Sequence, residues 1–229
     1  QGSNVVPAEI YTYAFDEAGR VRDFYTQAVG LDLYKVGYRM QTGFKLLSHL
    51  RLPPGRYELR TLIRNGETGA TGLTRTPIEV PDFRDGAPDL LPPFFIEASD
   101  RWLVAEGKRD SKDDLAYPLM AAGDRLVPAA KPIIPAGQRV PLLLVGNDLP
   151  DDVEASATFS PIDGVDAPQG FPVELADRYA DLSGNVRITG HLRAPGLRAG
   201  DYEMALTLTD TSGETKVSST ILVSVIEMF

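Results

Sequence analysis

Leu52-Pro53-Pro54-Gly55-Arg56-Tyr57-Glu58-Leu59 recurs 145 positions on as Leu197-Arg198-Ala199-Gly200-Asp201-Tyr202-Glu203-Met204. Both copies read Leu-x-x-Gly-x-Tyr-Glu-apolar and lead into an alternating stretch. A polar turn follows, Asn65-Gly66 in one and Asp210-Thr211-Ser212-Gly213 in the other, and then a second alternating stretch, 72–80 or 216–226. The glycine stands where a chain leaving one sheet turns sharply, since only glycine takes a positive φ there at little cost. The tyrosine opens a strand directly after the turn, the position of a corner tyrosine whose phenol bonds back to upstream backbone in β-sandwiches. Tyr57, Leu59, Thr61 and Ile63 share one face and Glu58, Arg60 and Arg64 the other. In the second copy Tyr202, Met204, Leu206 and Leu208 face in. Period-two alternation marks strands with one buried face. Gly55, Tyr57, Gly200 and Tyr202 are therefore assigned as structural corners.

Outward from these corners the same pattern continues. Residues 9–15 and 20–31 read as a hairpin around Asp16-Glu17-Ala18-Gly19. Asp32–Thr42 places Leu33, Val36 and Met40 at helical spacing behind a capping aspartate, which predicts one short helix. Strands are expected at 44–50, 94–98, 102–106, 139–146, 153–159 and 186–192. Residues 84–93 carry three prolines and a glycine and read as a linker. The expected fold is all-β: two tandem immunoglobulin- or fibronectin-III-like antiparallel sandwiches at 1–83 and 94–229, the first short enough to lack a strand. Pro92-Pro93-Phe94-Phe95 reads as a seam between them.

The chain has 229 residues, 43% of them apolar, no cysteine and a formal charge of −9. This composition supports a buried core. The acidic balance argues against nucleic acid and an anionic membrane surface as main partners, because both reward clustered Lys and Arg. Without cysteine there is no disulfide, thiol chemistry or Cys-ligated zinc. The longest uncharged run, Val217–Ile226, is ten residues, against about 20 for a membrane helix. Gln1-Gly2-Ser3 reads as a cleavage scar with no secretory leader before it, so a longer parent protein is expected.

Leu52–Arg60, Asn65-Gly66-Glu67-Thr68-Gly69 and Glu79-Val80-Pro81-Asp82-Phe83 resemble the region after the integrin-type domain in bacterial, acidobacterial-type VWFA-related proteins. Ala98–Ala105, Tyr117-Pro118-Leu119 and Leu126-Val127-Pro128 resemble the segment that joins two β-domains there. The resemblance implies an exported protein, periplasmic or extracellular. The family's metal motif, Asp-x-Ser-x-Ser, is not carried over: Asp181-Leu182-Ser183-Gly184-Asn185 and Asp210-Thr211-Ser212-Gly213-Glu214 both depart at the last position.

No catalytic or cofactor-binding residue is assigned. His49 and His191 are far apart and lack the companions a zinc site draws together. No nucleophile elbow or phosphate-binding loop occurs. Asp148, Asp151 and Asp152 form a weak candidate calcium loop whose spacing lacks the EF-hand pattern, and a solvated turn is the plainer reading. Asp16, Glu17 and Asp23 read as turn and surface charges. Tyr11, Tyr13 and Phe15 share a strand face; core or interdomain packing is favoured over a sugar platform, for which Trp102, Tyr25, Tyr34 and Tyr38 are the other candidates. The function expected is a non-catalytic structural or interaction module, of spacer or adhesion type. A carbohydrate-binding module is the alternative and a hydrolase the weaker one. The partner expected is a protein or a neighbouring domain.

Overall fold

The computed structural model describes residues 5–36, 43–82, 88–107, 117–164, 166–180, 184–213 and 216–227. The first part of the chain runs β1 (Val5–Asp16), β2 (Val21–Asp32), α1 (Leu33–Val36), β3 (Phe44–Leu47), β4 (Gly55–Asn65) and β5 (Thr71–Val80). Short pieces follow: β6 (Asp89–Leu90), β7 (Phe94–Glu97), β8 (Leu103–Glu106), β9 (Met120–Ala121), β10 (Asp124–Arg125), β11 (Val127–Pro128) and β12 (Ile133–Pro135). Six long strands complete the chain: β13 (Arg139–Asn147), β14 (Val153–Pro161), β15 (Gln169–Ala180), β16 (Asn185–Arg193), β17 (Gly200–Asp210) and β18 (Lys216–Ile226). The protein is all-β with sandwich-like layering, as the alternation predicts, and the described residues hold one short α-helix. Asp32 caps that helix, accepting the Tyr34 N–H at 3.2 Å. The rest of the predicted helix, 37–42, lies outside the described residues.

The chain divides into two units, but not at the boundaries expected. Residues 1–82 and 98–116 form the first; residues 83–97 and 117–229 form the second. Part of the proline-rich stretch is structure: Leu90 pairs with Gly146, and Asp89 with Asn147. Residues 84–87 lie outside the described residues. Phe95, assigned to a seam, is 2% exposed inside the second unit's own core beside Leu142. Its backbone needs drive this, since β7 satisfies its polar groups against β13 and β11.

In the first unit a four-stranded antiparallel sheet has the order β2-β1-β4-β5. Its inner face packs Ala8, Ile10 and Leu31 against Phe44, Leu46 and Leu103. The second layer is a parallel ribbon of β3 and β8, pairing Phe44–Leu47 with Leu103–Glu106. The strand that completes this layer thus comes from beyond the proline-rich stretch.

In the second unit the hydrogen-bonded path runs β7-β13-β16-β15-β14-β17-β18-β12, with β12 parallel to β18. β15 is not among the strands the sequence predicts. Phe171, Val173 and Leu175 alternate there, but Gly170 and Pro172 interrupt the pattern. β15 pairs with β14 through Gln169–Val173 and with β16 from Val173 onward, with an irregularity between Leu175 and Arg178. Pro172 precedes the β16 pairing, so one of its edges is free, where a missing N–H costs no ladder bond. Leu142, Leu144, Phe159, Leu192, Met204, Leu206 and Leu208 fill the core at 2% exposure or less.

Candidate interaction surface

The first unit's sheet presents a second face, opposite its core. Alternation along β1 sends Ile10 (4% exposed) and Ala14 (0%) inward, and Tyr11, Tyr13 and Phe15 outward, each half-buried. This face is not the wall of the unit's core that the aromatic composition favours. The register sets Phe24, Tyr13, Arg60 and Arg75 side by side across the four strands. One row over stand Tyr11, Leu62 and Leu73, and on the other side Phe15, Glu58 and Pro77. Tyr13 stacks on Phe24, centroids 5.8 Å apart and planes 21° apart, while Phe15 tilts 39° from Tyr13. The Arg60 guanidinium lies 4.1 Å above the Phe15 ring and pairs with Glu58. Glu9 takes Arg64 at 3.1 Å and the Tyr11 hydroxyl at 3.1 Å. That hydrogen bond to a carboxylate is the largest cause holding the Tyr11 phenol above its usual pKa. The rings thus form a cross-strand ladder, with Phe24 50% exposed at its end and Leu73 59% exposed. Trp102 is elsewhere, half-buried with the Lys45 ammonium 4.2 Å over its ring.

Both corner segments have the same backbone bond. Tyr57 donates its hydroxyl proton to the Pro53 carbonyl at 2.8 Å, and Tyr202 to that of Arg198 at 3.0 Å. Gly55 has φ +145° and Gly200 φ +159°, where side-chain-bearing residues rarely go. Tyr202 is 5% exposed with its ring edge-on to Phe159. Burial is the main cause raising its pKa.

Among the described residues no three His, Cys, Asp or Glu side chains gather as a metal set. Asp148 accepts from the Asn147 amide at 2.6 Å, and its backbone N–H bonds to the Gly184 carbonyl. The Asp151 side chain is 98% exposed, 3.5 Å from Arg178, which also donates to the Leu149 carbonyl at 2.8 Å. The Asp152 carbonyl caps the Thr211 N–H. Arg178, a residue the sequence does not single out, thus braces the loop. The other dense carboxylate group of the sequence, Asp110, Asp113 and Asp114, lies outside the described residues. His49 is half-buried in the first unit and His191 half-buried on β16 of the second, in register with Pro141 and Glu174.

Asp16 closes the β1–β2 turn, accepting the Ala18 and Arg20 N–H groups at 3.0 and 2.9 Å, and the Arg20 bond is the first cause of its lowered pKa. Asp23 is not a surface charge. It is 8% exposed, accepting the Phe24 N–H at 2.9 Å and the Arg51 N–H at 2.7 Å. The Arg51 bond ties the segment before the first corner to β2. Between that segment and the sheet is an inner cleft of about 410 Å³ lined by Thr12, Tyr25, Leu46, Ser48, Leu59 and Ile78. A shallower hollow of about 340 Å³ touches Phe15, Asp16, Arg56, Glu58 and Arg60 at the edge of the aromatic face.

No protein-family model matches the chain, and no curated protein matches it.

Proposed function

We propose that the chain is a non-catalytic interaction and spacer module of an exported bacterial protein, built from two immunoglobulin- or fibronectin-III-like units. The motif resemblance to the region after the integrin-type domain of VWFA-related proteins supports export. The observation that carries the interaction reading is the outer face of the first unit's sheet. Soluble sheets keep such faces polar, yet this one sets Tyr11, Tyr13, Phe15, Phe24, Leu62 and Leu73 among arginines. Aromatic residues and arginine are the types enriched where proteins meet proteins.

The glycan reading needs rings lying flat for a sugar to stack upon. Here Tyr13 leans on Phe24 and Arg60 covers Phe15, so ring faces are engaged within the protein. Photo-crosslinking tests the module reading. A benzophenone amino acid at Phe24 in the full-length protein, in its host, is expected to give discrete protein adducts, with none from the same probe at Glu154 on β14. No adduct at Phe24 sinks the reading. Retention on a glycan array that Tyr11→Ala abolishes replaces it with the carbohydrate reading.

A further inference from the structure

The interaction reading leaves open how a partner is held, and β5 supplies a means. It is the last strand of its sheet among the described residues, and every residue from Thr71 to Pro77 is exposed. Which backbone groups are free follows from the hairpin. The Asn65 N–H bonds to the Ala70 carbonyl and the Asn65 carbonyl takes the Gly69 N–H, both at 2.8 Å, so Asn65 turns both backbone groups toward the other arm, as a residue of a hydrogen-bonded pair does. Such pairs alternate along an antiparallel ladder. With the register running Arg64–Thr71, Ile63–Gly72 and onward, Gly72, Thr74, Thr76 and Ile78 direct their backbone groups at β4. Thr71, Leu73, Arg75 and Glu79 direct theirs at the open edge. Pro77 falls in the outward set, where its missing N–H leaves the β4 ladder whole and ends the donor row. An uninterrupted edge of six residues, 71–76, about 20 Å long, remains.

The side chains above this edge state a charge preference. Arg75 stands directly across the strands from Arg60, and like charges so placed are destabilising. Arg60 is engaged by Glu58 and Phe15, Arg64 by Glu9, and Arg56 by Glu79. Arg75 has no ion-pair partner among the described residues. A carboxylate on a strand added beyond Arg75 offsets the repulsion, and Leu73 next to Leu62 offers an apolar contact beside it. A second copy of β5 fits badly, because antiparallel pairing about Thr74, with each Leu73 opposite an Arg75, makes two Arg75 guanidiniums diagonal neighbours. An arginine and a proline on an edge are the usual devices against self-pairing.

We propose that this edge takes up an acidic, extended segment of a protein partner as a fifth strand of the sheet, with acids on the outer face and β-branched residues on the inner. Main-chain bonds supply affinity and Arg75 supplies selectivity, the division of labour usual in strand addition. This rests on the interaction-module reading.

The test titrates the whole chain into a fluorescent decapeptide of alternating Glu and Val, with a Lys/Val decapeptide as control. Saturable binding of the acidic peptide and none of the basic one is expected, declining with salt. Leu73→Pro, which removes an outward N–H, is expected to weaken binding about tenfold or more. Arg75→Glu, a surface change that leaves the ladder intact, is expected to abolish the preference for the acidic peptide. No binding by the wild-type chain, equal binding of both peptides, or indifference to Arg75→Glu overturns the proposal. Adducts at Phe24 together with any of these outcomes overturn the edge proposal alone and leave the module reading standing.

Discussion

Tyr202 carries more information than any other residue of the chain. Its identity is legible because a glycine two positions earlier and a strand after it leave few other uses for a phenol there. The bond it makes, to the Arg198 carbonyl, is local enough to follow from spacing alone. Tyr202→Phe removes that bond and leaves a buried acceptor, and we expect a loss of about 0.5–1.5 kcal/mol by thermal or denaturant melting. The pH dependence has a definite sign. Burial raises the folded-state pKa of Tyr202 above 10.0, so the folded chain keeps its proton where the unfolded chain gives it up. Stability is therefore full below pH 10 and falls as pH rises beyond it, and Tyr202→Phe makes that alkaline decline shallower. Tyr25, raised chiefly by burial, contributes the same sign.

At the scale of elements, legibility depends on whether partners are side chains or backbone. β4, β17 and β18 show their inner faces in the alternation. β15 is hidden because Gly170 and Pro172 break its pattern, and the reason they are tolerated lies in which neighbour each half pairs with. Asp23 is hidden differently: one carboxylate on an alternating strand reads as a surface charge, and its partner is a backbone N–H 28 residues away. Asp23→Ala frees the segment that precedes the first corner and takes the charged acceptor away from the Arg51 N–H. We expect a cost of about 1–3 kcal/mol, with faster amide exchange at Arg51 than in the wild-type chain. Unchanged exchange there would show the tether to be idle. The candidate surface was half legible: the shared face of Tyr11, Tyr13 and Phe15 follows from period two, but which side of the sheet carries the core does not. That side is set by β8, far along the chain.

At the scale of the molecule the two-unit organisation is legible in the repeated corner, while the boundary is not. The parallel pairing of Phe44–Leu47 with Leu103–Glu106 rests on two four-residue strands, too short to announce a long-range partnership. A fragment of residues 1–83 therefore lacks half of its second layer and leaves Phe44 and Leu46 without Leu103. We expect it to melt earlier and less cooperatively than the whole chain, with added dye-binding apolar surface. An equally sharp transition in the fragment would show that β8 is dispensable.

The excursion of the chain out of the first unit and back bears on inheritance. A recombination break in the proline-rich stretch, which composition marks as the natural seam, separates Leu103–Glu106 from the ribbon they complete and hands each descendant a defective half. The pair is thus transmitted as one indivisible cassette, and shuffled relatives are expected to break before Val5 or after Ile226, not between.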